Sequence, residues 1–175
     1  DTAVLFGDVN PGGKLPVTIP RSVGQLPVFY NHKPTARRGY LFDTTEPLWP
    51  FGHGLSYTTF ALENLAVDPA EMDVDDSATV SVEVVNTGER AGDEVVQLYV
   101  RHQEASVTRP VKELKGFRRV RLEPGERITV DFELHTDDLA FFGRHNRLIT
   151  EPGEFHAWIG GSSDTDLRTE FSVLE

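Results

Sequence analysis

The 175-residue sequence contains no cysteine, so disulfide bonds and thiolate metal sites are excluded. It also contains no apolar run approaching the ~20 residues of a membrane-spanning helix. Basic residues are scarce: 17 lysines and arginines stand against 28 aspartates and glutamates, which gives a net charge of −11. A field of this sign repels nucleic acid and anionic membranes, so we predict neither as a partner.

A signal peptide and an initial methionine are also lacking. The chain opens on Asp1 and reaches an apolar stretch, residues 3–6 (AVLF), that looks like the end of a helix with Gly7 as its C-cap. We therefore expect upstream sequence to be missing. The 38% hydrophobic content and the ordinary charged fraction argue against disorder and suit one domain, or one domain with a piece of another.

Residues 1–59 contain seven of the eleven prolines. Because proline lacks an amide donor, we expect only a helix end at residues 3–6 and a short strand at residues 14–19. The rest of this segment is predicted to be an irregular, extended arm. Irregular segments of this length are unusual inside a compact domain, so we expect the arm to pack against a domain that is absent from the sequence.

From residue 60 onward, apolar and polar residues alternate with a period of two, which is typical of strands with one buried face. Turn signals such as EPG at 123–125 and at 151–153 separate these segments. We predict about seven strands from this pattern, at residues 60–67, 78–84, 95–100, 114–122, 128–134, 155–159 and 171–173. A short helical turn is predicted to start at Thr136 as its N-cap.

Short strands at this spacing indicate a mainly β fold, namely an antiparallel β-sandwich of immunoglobulin or fibronectin type III architecture preceded by the Pro/Gly-rich arm. A disulfide-bridged immunoglobulin domain is excluded because cysteine is absent. Trp158 alternates with the apolar residues of its strand. Three environments stay open for its face: an exposed surface, an interface with the missing domain, or the second side of a covered sheet.

Four segments that follow one another along the chain resemble glycoside hydrolase family 3. They are residues 7–20 (GDVNPGGKLPVTIP), 47–60 (PLWPFGHGLSYTTF), 107–117 (VTRPVKELKGF) with 122–126 (LEPGE), and 151–155 (EPGEF) leading to 159–163 (IGGSS). The first resembles the end of that family's α/β sandwich domain, and the second resembles the junction into its fibronectin type III-like domain. The resemblance predicts three parts: the tail end of an α/β sandwich domain at 1–20, a linker arm at 21–59 and the β-sandwich at 60–175.

Residues 30–35 (YNHKPT) and 37–40 (RRGY) are most similar to bacterial β-glucosidases and β-xylosidases of this family. The resemblance implies a parent enzyme that cleaves terminal β-linked sugars with retention, using two carboxyl groups on upstream domains. The family's nucleophile motif, an aspartate followed by tryptophan, does not occur in this sequence, so we assign no catalytic residue. No cofactor is implied, and a periplasmic or extracellular location is suggested.

The candidate residues for the rim of a substrate site are His32, Arg37, Arg38 and Tyr40. Side chains of these types hydrogen-bond sugar hydroxyls at the rim of an active site on another domain. The alternative is that they pair with carboxylates at an interface between domains, where arginine binds carboxylate in a bidentate manner.

Four aromatic residues near the junction, Trp49, Phe51, Tyr57 and Phe60, are predicted to lie at a domain interface and to anchor the linker against the sandwich. A sugar-stacking platform is the alternative. No metal site is predicted. The acidic cluster at residues 71–76 lacks the ligand spacing of a calcium loop, and none of the six histidines is spaced as a local zinc-ligand pair.

These points favour a non-catalytic accessory portion of a retaining β-glycosidase, which buttresses the catalytic domains of the same parent enzyme and edges its active site. A stand-alone module that binds β-linked oligosaccharide is the alternative. An autonomous hydrolase conflicts with the missing catalytic domains.

Overall fold

A computed structural model of the chain describes residues 2–36 and 44–175. It contains one short α-helix, α1 (Thr2–Leu5), and 3₁₀ turns at Val23–Gln25 and Thr136–Leu139. The strands are β1 (Phe60–Asp68), β2 (Glu71–Met72), β3 (Ser77–Asn86), β4 (Gly92–His102), β5 (Glu113–Leu122), β6 (Arg127–His135), β7 (Phe141–Phe142), β8 (Leu148–Ile149), β9 (Gly153–Gly160) and β10 (Arg168–Val173). Each of the seven predicted strands corresponds to one of the long strands of this list.

The strands form two main sheets that pack face to face. One sheet has the order β1-β3-β6, and the other has the order β2-β10-β9-β4-β5. Among the described pairings, the one between β2 and β10 is parallel and the others are antiparallel. β7 and β8 pair with each other outside both sheets. The predicted mainly β fold with an antiparallel sandwich is therefore confirmed.

The core between the sheets consists of the alternating apolar side chains seen in the sequence. Val80, Val82 and Val84 of β3 are fully buried, and Leu98 of β4 and Ile159 of β9 belong to the same cluster. Burial of a valine, leucine or isoleucine side chain stabilises a fold by roughly 1.5–3 kcal/mol. This repeated burial fixes which face of each strand points inward, and it holds the loops at the ends of the strands in place.

The outer face of the five-stranded sheet is covered around Gln97 and Tyr99, which the alternation did not predict, whereas Phe117 of β5 on the same face is 69% exposed. Gln97 and Tyr99 of β4 lie on this face, yet they are only 3% and 0% exposed. Tyr30 and Phe51 of the arm cover them: the ring centroids of Tyr30 and Phe51 are 4.4 Å apart, and Tyr30 meets Tyr99 edge-on at 5.7 Å. Burial raises the pKa of the Tyr99 hydroxyl.

A glycine allows the arm to lie this close to the sheet. Gly52 has a φ of +80°, and a Cβ atom there would lie 2.2 Å from Oε1 of Gln97. The freed space lets Tyr99 donate its hydroxyl proton to Oε1 of Gln97 at 2.6 Å, while Nε2 of Gln97 donates to the Gly161 carbonyl at 2.6 Å. The buried polar groups under the arm are thus hydrogen-bonded, as burial requires.

The strand predicted at residues 14–19 does not form. The segment makes separate hydrogen bonds instead: the Leu15 amide donates to the His53 carbonyl at 2.8 Å, and the Ile19 amide donates to the Trp49 carbonyl at 2.9 Å. A single bridge between Ile19 and Trp49 is the β pairing found here. Prolines on both sides of the pairing lack amide donors, so a regular ladder cannot continue.

The predicted N-cap of the second 3₁₀ turn is also wrong by one residue. His135 caps it, because Nδ1 of His135 accepts from the Asp137 amide at 3.2 Å and the Asp138 carboxylate accepts from the His135 amide at 3.1 Å. Thr136 is buried, and its hydroxyl accepts from the Asp75 amide at 2.9 Å. The Thr136 side chain therefore forms a hydrogen bond with a distant segment, whereas the sequence predicted a local capping bond.

Candidate domain-interface surface

Exposed apolar side chains are concentrated in the N-terminal third of the chain. Among the residues that the structure describes, sixteen large hydrophobic residues are exposed, and eleven of them lie between residues 2 and 57: Leu5, Phe6, Val9, Val17, Val23, Leu26, Phe29, Leu48, Trp49, Leu55 and Tyr57. Scattered exposed hydrophobics are normal on a protein surface, but grouped ones mark a surface that another protein part covers.

Four of these residues lie at the end of α1 and in the neighbouring residues 55–57, and are called the apolar end surface: Leu5, Phe6, Leu55 and Tyr57. The Tyr57 hydroxyl donates to the Val4 carbonyl at 2.8 Å, which places α1 beside residues 55–57. Leu5, Phe6 and Leu55 are 79%, 80% and 76% exposed. Since nothing in the described chain covers these side chains, the group is the best candidate for contact with a further domain.

Asn10 fixes the apolar end surface to the sandwich. Its Nδ2 donates to the Ala91 carbonyl at 3.0 Å, and its Oδ1 accepts from the Tyr57 amide at 2.8 Å and the Ser56 hydroxyl at 3.0 Å. The guanidinium of Arg90 lies 5.9 Å from the Tyr57 ring centroid, within range of a cation–π contact. The surface is therefore held in one orientation before any partner binds.

Replacing Asn10 with alanine is expected to lower the free energy of unfolding by about 1–3 kcal/mol, because three hydrogen bonds are lost and their part-buried partners stay unpaired. Urea denaturation of the purified chain measures this change. The matched control is Asn31→Ala, since Asn31 is exposed on the arm and should change stability by less than about 0.5 kcal/mol. Equal effects of the two substitutions would contradict this role of Asn10.

Positive charge borders the apolar end surface in an otherwise acidic chain. Arg90, Arg119 and Arg121 line a depression of about 400 Å³ together with Asp8 and Asp93. Arg119 forms an ion pair with Asp93 at 2.5 Å, while Arg90 reaches the Gly7 carbonyl at 3.4 Å. An apolar centre with a charged rim is the usual composition of a protein interface.

The four aromatic interface candidates lie in two different environments. Phe51 is half-buried and stacks on Tyr30, and Phe60 is half-buried at the start of β1, packed against the core. Trp49 and Tyr57 are exposed, and Trp49 lies parallel to the His53 ring with centroids 6.3 Å apart. Phe51 and Phe60 therefore make their contacts within the chain, whereas Trp49 and Tyr57 present ring surface outward.

Of the predicted substrate-rim residues, Arg37, Arg38 and Tyr40 lie outside the described residues. His32 is half-buried on the arm, and its Nδ1 lies 2.9 Å from the Lys33 carbonyl. Its own carbonyl accepts from the Val111 amide at 2.9 Å, which ties the arm to the loop before β5. The structure thus places His32 beside the sandwich, where it lines a cleft of about 420 Å³.

Trp158 lies on the outer face of the five-stranded sheet, opposite Tyr99 in the β4–β9 register. The Lys112 ammonium is 5.1 Å from its ring centroid and donates to the carbonyls of Ser163 and Thr165 at 3.0 and 2.7 Å. Burial lowers the pKa of Lys112, and the nearby aspartates oppose this shift. Of the three environments left open, the structure shows the second side of a covered sheet, and Lys112 provides part of the cover.

His102, which is not among the predicted site residues, is 4% exposed at the end of β4. Its ring stacks on Phe155 at 4.2 Å and meets Phe141 edge-on at 6.3 Å. Both ring nitrogens are buried without a hydrogen-bond partner, and the Pro152 backbone beside the ring does not satisfy hydrogen-bond geometry. The sequence could have predicted this burial, because His102 continues the series of core-facing positions that includes Val100.

In the part of the chain that the structure describes, no three histidine, aspartate or glutamate side chains are grouped so as to hold a metal ion. None of the described helices has the length and apolarity needed to cross a membrane.

Two family models match this chain. Residues 2–57 match the glycosyl hydrolase family 3 C-terminal domain, and residues 94–163 match the fibronectin type III-like domain. A β-glucosidase from Erythrobacter marinus has a solved structure that covers 98% of the chain with a TM-score of 0.95 and 49% identity. The chain belongs to glycosyl hydrolase family 3. The resemblance seen in the four sequence segments is therefore confirmed.

Two curated relatives show the same extent of similarity. The periplasmic β-glucosidase of Salmonella typhimurium is 44% identical over 98% of the chain, and a β-xylosidase of Formosa agariphila is 48% identical over 95%. In each case the chain spans 24% of the relative's length. The match to the C-terminal domain model ends at residue 57, which belongs to the apolar end surface.

Proposed function

We propose that this chain is the non-catalytic C-terminal portion of a β-glycosidase of the glucosidase or xylosidase type, and that it stabilises the catalytic domains of the same enzyme. The observation that carries the proposal is the apolar end surface, which is exposed, preorganised by Asn10 and bordered by arginines. Interfaces between domains bury about 600–1,500 Å² and commonly combine apolar and charged residues.

We propose the same three-part division of the chain that the sequence predicts. Residues 1–20 are proposed to complete an α/β sandwich domain, residues 21–59 to link it, and residues 60–175 to form the sandwich that supports both. The name of the Salmonella relative, a periplasmic enzyme, supports an exported parent. We also propose that the segment from His32 to Tyr40 faces a β-linked oligosaccharide bound by the parent, because its side chains suit sugar hydroxyls.

The first test is hydrolysis of chromogenic β-glucoside and β-xyloside by the purified chain alone. We expect no turnover above buffer, because retaining hydrolysis needs two positioned carboxyl groups that this proposal places on other domains. Turnover that follows the chain through purification would contradict the proposal.

The second test is complementation. The Erythrobacter marinus β-glucosidase, truncated to remove the part that matches this chain, is co-expressed with the 175-residue chain, and activity and co-purification are measured. We expect restored activity with the unchanged chain. Phe6→Asp should weaken association by about tenfold or more, since it places a charge in the apolar end surface.

The matched control is Phe142→Asp, which changes an exposed phenylalanine on β7. This substitution should leave complementation unchanged. Loss of complementation by both variants, or by neither, would contradict the assignment of the apolar end surface as the interface.

A further inference from the structure

The cleft beside His32 is built from two parts of the chain. The arm contributes Tyr30, His32 and the prolines Pro47 and Pro50, while the loop before β5 and the loop after β9 contribute the opposite wall. Its volume of about 420 Å³ lies within the range of small-molecule sites.

Hydrogen bonds across the cleft fix its two walls relative to each other. The Leu114 amide donates to the Tyr30 hydroxyl at 3.2 Å, and the Ser163 amide donates to the Phe51 carbonyl at 2.9 Å. Lys112 ties the two loops of the sandwich together through its bonds to the Ser163 and Thr165 carbonyls. Hydrogen bonds within the chain therefore hold the walls in place, so binding does not require the walls to become ordered.

Several polar groups of the cleft keep unused hydrogen-bonding capacity. Arg21 uses Nε to donate to the Glu46 carbonyl at 3.1 Å, which leaves its terminal nitrogens free of bonds in the described chain. Glu46 and Asp164 form no ion pair among the described residues. The Thr18 hydroxyl, in the wall of the cleft, is buried and has no hydrogen-bond partner there.

The charges of the cleft balance. Arg21 and Lys112 are cationic, and Glu46 and Asp164 are anionic, so the lining favours neither a cation nor an anion. Pro47, Pro50 and Val111 add apolar surface to the same lining. A ligand that matches this lining is uncharged, carries several hydroxyl groups and also presents C–H surface.

We propose that this cleft binds a neutral saccharide, with Asp164 and Glu46 accepting hydrogen bonds from its hydroxyl groups and Arg21 donating to them. The neutrality and the hydroxyl chemistry of the ligand follow from the cleft, whereas the choice of β-linked glucose or xylose units rests on the proposed function. The site lies on the accessory chain itself and requires no other domain.

The test uses the ¹⁵N-labelled 175-residue chain, titrated with cellobiose and xylobiose up to about 50 mM, a range that detects weak binding. We expect saturable amide shifts confined to residues around the cleft, such as His32, Val111 and Ser163. The charged disaccharide analogues bearing a carboxylate or an amine should bind more weakly than the neutral ones.

Two substitutions provide the matched comparison. Asp164→Ala should weaken binding by about fivefold, because an acceptor for a sugar hydroxyl is lost. Asp166→Ala is the control, since Asp166 also acts on the charge of Lys112 but does not line the cleft; it should leave the affinity unchanged.

Absence of shifts with both disaccharides, shifts elsewhere on the chain, or equal effects of the two substitutions would overturn the proposal. These outcomes are independent of complementation. A chain that restores activity to the truncated enzyme but shows no shifts at the cleft retains the accessory function and lacks the saccharide site.

Discussion

Deletion of residues 1–59 is expected to lower the free energy of unfolding of the sandwich by at least about 3 kcal/mol. The deletion removes Tyr30 and Phe51, which pack over the buried Tyr99 on the outer face of the five-stranded sheet. It also removes Gly52, whose carbonyl is 3.4 Å from Nε2 of Gln97. The arm is thus part of the packed structure as well as a connection to another domain.

Urea denaturation of the chain starting at Phe60, compared with the full chain, measures this effect. Phe51→Ala provides a smaller change at one point and is expected to cost about 2–3 kcal/mol, because half-buried aromatic stacking is lost. The control is Phe142→Ala, which truncates a phenylalanine ring that is 66% exposed on β7 and should cost less than about 0.5 kcal/mol. An unchanged unfolding midpoint in the shortened chain would show that the arm does not stabilise the sheet.

The same packing determines which surfaces a hydrophobic dye can bind on the full chain and on the chain that starts at Phe60. A chain that starts at Phe60 uncovers Tyr99 and Gln97, so it should bind a hydrophobic dye at a newly exposed sheet face. A difference in dye binding between the two chains therefore combines two effects: loss of the apolar end surface and exposure of the sheet face. Point substitutions in the apolar end surface, such as Phe6→Asp, separate them because they leave the arm in place.

The second large effect expected is a loss of stability in mild acid that depends on His102. Burial lowers the pKa of His102, the Glu151 carboxylate opposes this shift, Arg109 adds to it, and the Pro152 backbone opposes it slightly. The folded state therefore binds fewer protons at His102 than the unfolded state, whose histidine pKa is about 6.5. The stability from this group is fully present above the unfolded-state pKa of about 6.5 and is lost progressively as the pH falls below it.

His102→Phe should remove most of this pH dependence and raise stability at about pH 5, because the ring stays stacked on Phe155 while no proton can bind. The measurement is the free energy of unfolding in urea at about pH 5 and pH 8. Some pH dependence should persist, since burial also lowers the pKa of His156.

His145→Gln serves as the control, since His145 is exposed in the turn between β7 and β8 and its loss should leave the pH dependence unchanged. His102→Gln guards against an effect of the phenylalanine ring itself. It is expected to destabilise the chain at every pH, because an amide replaces the imidazole without partners, and yet to flatten the pH dependence. An unchanged slope in both His102 variants would contradict the role of this residue.

The sequence by itself determined the strands, the family and the absence of disulfides. Val80, Val82 and Val84 alternate with more polar residues. Because side chains of a strand point to opposite faces in turn, this period predicts a strand that buries its valines. The motifs at 7–20 and 47–60 are continuous segments of the chain, so they can be recognised from the sequence alone. His32 could be selected from the sequence as a polar residue on an irregular arm, but its neighbours across the cleft could not.

Tertiary structure alone decided what covers the second face of the sheet. Tyr30 and Phe51 lie about 50–70 residues from Tyr99 in the sequence, and no local pattern records that Gly52 approaches Gln97 closely enough to exclude a side chain. The pairing of Lys112 with Trp158 and the isolation of His102 among aromatic rings arise in the same way. Contacts between distant segments depend on how the sheets and loops pack, and packing depends on the whole chain at once.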